Sequence, residues 1–373
     1  VLFMDKDGTV DLEQEISDET GNFNGNLDDD DAFGSAVAGI GDLDGDGFND
    51  VAVGAPLDDD GGDNRGAIWI LFLQANGKVK SHQKISHDAG QFKGNLDDND
   101  EFGSAIATLG DIDGDGITEL AVGAPLADEN GIDAGAVWIL FMNMDGSVKS
   151  QKKISADSGR LKDLLVAGDQ FGRSLTNIGD FNKDGITDLA AGSPGFDDEG
   201  LDRGAIWILY LDTDGSVAGK REISASESDI RLPVSDGVHF GEVVANAGDI
   251  DEDGTTDLAV GLPFDDDGGT DSGAVLILFM NNRAEVDEIQ KVSNTQGIFN
   301  GILNSNDHFG AAIASIGDLN KRRAVDLAIG APLDDNGGID KGAVWILFLD
   351  EPDTRTECER DSLLRFLGIG NCS

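Results

Sequence analysis

Aspartate recurs at every second position in a short loop near the start of the sequence. The stretch GDLDGDGFND carries Gly47 where a sharp turn is needed. Counting from its first aspartate, acidic side chains stand at positions 1, 3, 5 and 9, and a backbone carbonyl is available at position 7. Oxygen ligands in this arrangement suit Ca²⁺, a hard ion that takes roughly 6 to 8 oxygens at about 2.3 to 2.6 Å. The predicted ligands are Asp42, Asp44, Asp46, the Phe48 carbonyl and Asp50.

Three further loops repeat this spacing and are predicted to bind Ca²⁺ as well, which makes four sites. A fifth loop, in GDLNKRRAVD, keeps Asp318, Asn320 and Asp326 but has Arg322 at position 5 and Arg323 at the glycine position. A guanidinium near the centre would offset the remaining carboxylates, so we predict that this loop holds no metal. The ligands predicted in the other three loops are Asp111, Asp113, Asp115, the Ile117 carbonyl and Glu119; Asp180, Asn182, Asp184, the Ile186 carbonyl and Asp188; and Asp249, Asp251, Asp253, the Thr255 carbonyl and Asp257.

These loops differ from an EF-hand beyond position 9. An EF-hand places a bidentate Glu at position 12, but Val53 stands there, inside an apolar run. The loop is therefore expected to join one strand to the next. Three or four carboxylates in one hairpin repel one another unless an ion neutralises them, so we expect the ions to stabilise the fold rather than to do chemistry.

The loops belong to a repeat of 69 residues. The dipeptide Phe-Gly begins at positions 33, 102, 171, 240 and 309, and the tripeptides GAP, GAP, GSP, GLP and GAP follow at the same step. In the first unit, four short segments bounded by Gly, Asp or Asn are predicted to be strands, at 33–41, 50–56, 66–73 and 79–86. The third, GAIWILFL, is apolar on consecutive residues, so both of its faces should be buried.

A four-stranded unit with two apolar faces cannot bury itself alone, whereas copies packed radially can. We therefore predict an all-β fold, a β-propeller of five 69-residue four-stranded blades with calcium-binding hairpin loops between the first and second strands. A β-solenoid or a string of separate domains suits this repeat less well. The propeller is expected to span residues 1–350, followed by a short C-terminal tail at 351–373.

The order of Phe-Gly, acidic loop and Gly-Ala-Pro resembles the FG-GAP repeat, and the chain is similar to the β-propeller head of integrin α subunits and its microbial relatives. Integrin heads usually have seven blades, whereas this sequence holds five units. In such rings the N-terminal strand commonly completes the last blade, so Val10–Ser17 is expected to supply the strand after Ile346–Asp350. Residues 1–5, VLFMD, then duplicate ILFLD, which suggests a longer precursor, a blade shared between subunits or a spare strand.

The charge and the cysteines limit the possible partners and compartment. Asp and Glu number 73 against 26 Lys and Arg, a net charge of −47, which would repel nucleic acid and anionic membranes. A salty habitat would favour the same acidic surface. No apolar run reaches the ~18 residues of a membrane span, so no membrane insertion is expected. Cys358 and Cys372 are expected to form a tail disulfide in an oxidising compartment, or to remain two free thiols.

The longer loops of a four-strand meander share the face opposite the metal loops. Solvated turns would explain their carboxylates; the functional interpretation is a cation-bridged protein or glycan ligand. Trp69, Trp138, Trp207 and Trp345 share one position and are predicted to pack in the core rather than to form a sugar platform. The acidic residues of this face are Asp28 to Asp31, Asp58 to Asp60, Asp97, Asp98, Asp265 to Asp267, Asp334 and Asp335.

Together these features predict a protein of the cell surface or extracellular space, an adhesion or structural protein-interaction module in a homo-oligomer or larger assembly. The alternative is a lectin-like propeller that binds carbohydrate. We expect no enzyme, because the histidines show no metal-ligand spacing and no nucleophile motif occurs. The histidines are His82, His87, His239 and His308.

Overall fold

The computed structural model describes residues 1–4, 10–198, 200–226, 232–297, 299–319, 324–335 and 338–349. Within these ranges the chain forms β-strands, one 3-10 helix at Gly159–Leu161, and no α-helix. The strands are β1 (Leu2–Met4), β2 (Val10–Glu13), β3 (Val37–Gly41), β4 (Asp50–Ala55), β5 (Ala67–Leu73), β6 (Val79–Ile85), β7 (Ile106–Gly110), β8 (Glu119–Ala124), β9 (Ala136–Met142), β10 (Val148–Ser155), β11 (Leu175–Gly179), β12 (Asp188–Ser193), β13 (Ala205–Leu211), β14 (Val217–Ile223), β15 (Val243–Gly248), β16 (Asp257–Leu262), β17 (Ala274–Met280), β18 (Val286–Val292), β19 (Ala312–Ser315), β20 (Leu327–Ala331) and β21 (Ala343–Leu347).

The strands from β3 onward form five antiparallel meanders, one for each sequence repeat. Blades 1 to 4 have four strands each, β3–β6, β7–β10, β11–β14 and β15–β18, and blade 5 has three within the described residues, β19–β21. In blade 1 the register pairs Val53 with Trp69 and Ile68 with Ile85. The predicted all-β five-bladed propeller is confirmed. In blade 1 the first strand was predicted to start at residue 33 but starts at Val37, so the Phe-Gly motif lies before the sheet and not in it.

The core lies between neighbouring blades. Ile68, Ile70 and Phe72 on one face of β5 belong to the same apolar cluster as Leu120 and Trp138 of blade 2. All five side chains are at most 5% exposed. Trp69 and Leu71 on the other face of β5 are at most 3% exposed as well, so the prediction that the third strand of this first unit is buried on both faces is confirmed. So is the prediction that the tryptophans of the first three blades pack in the core.

The Phe-Gly and Gly-Ala-Pro motifs meet across the interface between one blade and the next. A Cβ added to Gly54 would lie 2.1 Å from the Gly103 carbonyl oxygen, and one added to Gly66 would lie 2.2 Å from that of Phe102. Phe102 is fully buried, and its backbone N–H donates to the Arg65 carbonyl at 3.0 Å. Glycine is needed because the backbones of adjacent blades approach closely.

A cavity with a volume of about 450 Å³ lies where the blades meet. All five blades line it, mostly through the residues that precede or begin their first strands. Arg173 of blade 3 and Glu242 of blade 4 form an ion pair there at 3.0 Å.

The outer face of blade 5 differs from its counterparts in the other blades. Val344, Ile346 and Phe348 are 71%, 40% and 58% exposed. The equivalent residues of blade 1, four repeats earlier, are Ile68, Ile70 and Phe72, which are covered by blade 2 and at most 4% exposed. On the facing side of the ring, Val37 of blade 1 is 64% exposed. Within the described residues, blade 5 thus leaves uncovered the kind of apolar face that the other blades bury.

The N-terminal strand does not complete blade 5 as expected. In the structure β2 pairs with β1, with Leu2 opposite Glu13 and Phe3 opposite Leu12. The sequence at 1–4 resembles the third strand of a blade and can therefore pair with β2. Pairing within this short hairpin costs less entropy than bringing β2 together with β21 near the other end of the chain. Phe3 lies against Gly77 of blade 1, just as Phe72 of blade 1 lies against Gly146 of blade 2. The tail at 351–373, with both cysteines, lies outside the described residues.

Candidate metal loops

The four predicted loops lie where the sequence placed them, between the first and second strands of blades 1 to 4. In blade 1 the Asp42 carboxylate accepts the backbone N–H of Asp46 at 2.9 Å and that of Gly47 at 2.8 Å. Asp46 in turn accepts the N–H of Phe48 at 3.0 Å. Gly47 has a φ of 94°, which favours glycine at this turn. These side-chain to backbone bonds hold the acidic side chains around one centre.

The same bonds recur in the next three blades. The first aspartate of each loop accepts the N–H of the turn glycine, and the aspartate at position 5 accepts the N–H of the residue whose carbonyl was predicted as a ligand. The pairs are Asp111 with Gly116 and Asp115 with Ile117, Asp180 with Gly185 and Asp184 with Ile186, and Asp249 with Gly254 and Asp253 with Thr255.

Three of the loops bring three carboxylates together. In each, one ligand oxygen from every member lies within 4.8 Å of the others. In the loop of blade 3, Asn182 stands among the ligands; its amide nitrogen donates to Asp184 at 2.9 Å. The three groups are Asp42, Asp44 and Asp50; Asp111, Asp113 and Asp115; and Asp249, Asp251 and Asp257.

The acidic residue at position 9 also has a structural task that the sequence analysis missed. Asp50 is fully buried, and its two carboxylate oxygens accept the backbone N–H of Leu43 at 3.0 Å and of Leu73 at 2.9 Å. It thereby ties the loop to the end of the third strand. Asp188, Asp257 and Asp326 make the same pair of bonds in blades 3, 4 and 5. The signal in the sequence was that Asp326 persists although Arg322 and Arg323 replace the acid at position 5 and the turn glycine of its loop.

Burial makes these inner carboxylates costly to ionise. It raises the pKa of Asp188 and of Asp257 to about 6 and that of Glu119 to about 7. Neighbouring carboxylates of the same loops add to the effect, and hydrogen bonds from the backbone oppose it. One oxygen of Glu119, Oε1, is buried with no hydrogen-bond partner. A divalent cation would satisfy that oxygen and offset the repulsion, so the donor set fits a hard ion such as Ca²⁺.

Two lysines contact the loops of blades 1 and 2, and these also went unnoticed in the sequence. Lys80 of β6 places its Nζ 2.7 Å from Asp44 and 2.6 Å from Asp46. Lys149 of β10 does the same with Asp113 and Asp115, at 2.8 and 2.5 Å. The Lys80 ammonium holds the pKa of Asp46 below its ordinary value. The signal would have been a lysine at the same repeat position in both units.

The prediction for the fifth loop falls largely outside the described residues. Asn320, Arg322 and Arg323 are not among them, so the predicted absence of metal stays a prediction. Asp326, which is described, is fully buried and accepts the backbone N–H of Leu349, just after β21.

On the opposite face, part of the predicted acidic surface is paired with basic residues. Lys84 contacts Asp58 at 2.7 Å and Asp60 at 2.8 Å. Arg65 of blade 1 reaches Asp98, in the segment leading to blade 2, at 2.8 Å. These ion pairs hold loops to one another, which is the structural interpretation of the acidic turns. Further pairs of this kind are Arg203 with Asp236 and Lys291 with Asp265.

The comparison with known families agrees with this architecture. The FG-GAP repeat model matches residues 33–71, 102–140, 171–209 and 240–278. The chain thus contains four FG-GAP repeats in a β-propeller similar to those of integrin α subunits.

Integrin α subunits are among its relatives. Integrin alpha-PS5 of Drosophila melanogaster is 38% identical over 166 residues, which are 43% of this chain and 15% of that protein. Integrin alpha-PS2 of the same species is 33% identical over 244 residues, 63% of this chain and 15% of that protein. Integrin alpha-11 of Homo sapiens is 35% identical over 164 residues, 44% of this chain and 12% of that protein. The chain therefore spans 12 to 15% of the length of these relatives.

Solved structures include distant likenesses. A thermostable family-43 glycoside hydrolase superposes with a TM-score of 0.41 at 13% identity, covering 83% of this chain and 93% of that one. A likeness of that size carries no argument about function. Among the described residues, no helix has the length and apolarity that a membrane span requires.

Proposed function

We propose that this chain is an extracellular, calcium-stabilised propeller that serves as an adhesion or structural protein-interaction module. The observation that carries the proposal is the convergence of three carboxylates within 4.8 Å in three separate loops. The similarity to integrin α subunits supports an adhesion or protein-interaction role at the cell surface.

Calcium in these loops is proposed to stabilise the folded state rather than to take part in a reaction. Each ion would be held by residues at positions 1, 3, 5 and 9 and the carbonyl at position 7, and would supply positive charge where the fold buries negative charge. Because the unfolded chain does not assemble the loop, binding stabilises the folded state. Four such ions are expected, in blades 1 to 4.

Calorimetric titration of Ca²⁺ into the chelator-stripped protein tests the metal part, together with thermal unfolding in Ca²⁺ and in EGTA. We expect about four ions per chain and a melting temperature several degrees higher with Ca²⁺. Mg²⁺ at the same concentration is the control, because it demands tighter octahedral geometry and keeps its waters. No heat of binding and equal melting temperatures would overturn the calcium proposal.

The ligand face is proposed to be the one formed by the longer loops, opposite the metal loops. Blades 1, 2 and 5 share one aromatic group in the segment before the Phe-Gly motif, a Phe that packs on the Phe of that motif and on the Trp of the same blade. The trios are Phe23, Phe33 and Trp69; Phe92, Phe102 and Trp138; and Phe299, Phe309 and Trp345.

This threefold likeness also favours a second candidate, a lectin with the same site in several blades. Surface plasmon resonance of the Ca²⁺-loaded protein against extracellular proteins and against a glycan array separates the two. Saturable protein binding supports the adhesion module. Binding to glycans alone, repeated at several sites per chain, would replace it with the lectin.

A further inference from the structure

The residue that faces each metal loop from the fourth strand differs between blades. Lys80 and Lys149 occupy this position in blades 1 and 2, whereas blade 3 has Ala218 and blade 4 has Asp287. The position is the same in all four units, one residue into the strand after the tight turn. The loops therefore share their ligand spacing but not their outer charge.

We propose that Lys80 and Lys149 are built-in competitors for calcium, which weaken the ion's binding in blades 1 and 2 and leave blade 4 as the tightest site. This inference rests on the proposed calcium function and specifies how its sites are graded. The loops of different blades would then bind calcium with different affinities.

The contacts show why the lysines compete. Each ammonium lies within 2.8 Å of the carboxylates at positions 3 and 5, which are two of the predicted metal ligands. A Ca²⁺ ion must share those carboxylates with a fixed positive charge or displace it. Either event lowers the ion's affinity, because affinity in such loops follows the net charge of the ligands and the rigidity of the site.

Blade 4 presents the opposite case. Its four acidic ligands are Asp249, Asp251, Asp253 and Asp257, and the position of the lysine is taken by a fifth acid, Asp287. The carboxylate of Asp287 accepts a hydrogen bond from Asn281 at 2.7 Å rather than from a basic side chain. Blade 3 falls between the two, since Asn182 replaces one carboxylate and Ala218 adds no charge.

The lysines also hold their loops together without metal. Each one bridges two carboxylates that would otherwise repel each other, so the loops of blades 1 and 2 should keep their shape after chelation. The loop of blade 4 has no such bridge among its described contacts. Calcium removal is therefore expected to loosen blade 4 first.

The test is calorimetric Ca²⁺ titration of the full chain and of the Lys80→Met, Lys149→Met double variant. Methionine keeps the length of the stem and removes the charge. We expect the wild-type titration to resolve weaker and tighter classes of site, and the variant to gain about tenfold in affinity at two sites. The control is Lys152→Met, because Lys152 is as exposed on β10 but lies 3.8 Å from Asp214, away from the metal loops.

Hydrogen exchange in EGTA supplies a second readout. Residues 42–50 and 111–119 should exchange more slowly than 249–257 in the wild type, and the double variant should lose that protection. Four sites of equal affinity, unchanged in the variant, would overturn the grading while leaving the calcium function intact. Absence of calcium binding to both proteins would instead overturn the calcium function on which the grading rests.

Discussion

The carboxylate of Asp326 accepts the backbone N–H of Leu349 at 3.1 Å, although 23 residues separate them. The same group accepts the N–H of Leu319 at 2.9 Å, so one buried side chain joins the loop of blade 5 to the end of β21. Equivalent bonds recur at position 9 of blades 1, 3 and 4. This acid persists in a loop that has Arg322 in place of the acid at position 5 and Arg323 in place of the turn glycine, so we expect this pair of bonds to be separable from metal binding.

Asp326→Ala should therefore destabilise the protein whether or not calcium is present. It leaves two backbone N–H groups without their acceptor, and we expect the free energy of unfolding to fall by about 2 to 4 kcal/mol. Asp326→Asn, which keeps one acceptor oxygen, should lose less. Urea unfolding in Ca²⁺ and in EGTA measures both variants. A loss confined to Ca²⁺-containing buffer would show that Asp326 acts as a metal ligand after all.

The contact between the Gly-Ala-Pro motif of one blade and the Phe-Gly motif of the next predicts that substitutions at equivalent glycines differ strongly in their loss of stability. A Cβ added to Gly192 would lie 1.9 Å from the Gly241 carbonyl oxygen of the next blade, whereas the nearest atom to one added to Gly330 of blade 5 is 3.3 Å away. Gly192→Ala should cost about 3 kcal/mol or more, and Gly330→Ala less than about 1 kcal/mol. Thermal unfolding of the two variants compares them directly. Equal losses would mean that something also packs on Gly330.

The open face of blade 5 predicts a second contrast. Phe72 is 4% exposed between blades 1 and 2, and the equivalent Phe348 is 58% exposed. Phe72→Ala should cost about 3 to 5 kcal/mol, while Phe348→Ala should stay within about 1 kcal/mol. The measurement is chemical denaturation at several protein concentrations. A large, concentration-dependent loss for Phe348→Ala would reveal a partner copy on that face.

The buried Asp169 predicts a dependence on pH. Burial raises its pKa to about 7, from an ordinary 3.8. Between these two values the folded chain retains a proton that the unfolded chain releases, so the free energy of unfolding falls as the pH rises from about 4 to about 7. Asp169→Asn removes this penalty, because an amide does not ionise and can still accept the N–H that Val166 donates at 2.8 Å.

We expect Asp169→Asn to be more stable than the wild type at pH 8, by up to about 4 kcal/mol, and similar to it at pH 4. Urea unfolding across this range in EGTA measures the difference. Asp157→Asn, on an exposed turn, is the matched control and should change little. A difference from wild type that does not vary with pH would contradict the assignment.

Much of the fold follows from local patterns in the chain. The 69-residue step, the apolar third strand and the turn glycines predict five similar β-sheets, because strand and turn formation depend on residues close in sequence. The acidic loops are equally local, since their ligands lie within nine residues and are held by bonds within the loop. The sequence by itself therefore determined the repeat, the strands and the predicted ligands.

The remaining features depend on which strands come to lie side by side. Lys80 reaches Asp44 across 36 residues, and the pairing of β2 with β1 rather than β21 is a choice between two similar partners. Periodicity could not reveal these contacts, because every unit repeats the same strands while each contact depends on one residue in one unit. Only the tertiary structure decided where the fixed positive charges fall among the loops and which blade face stays open.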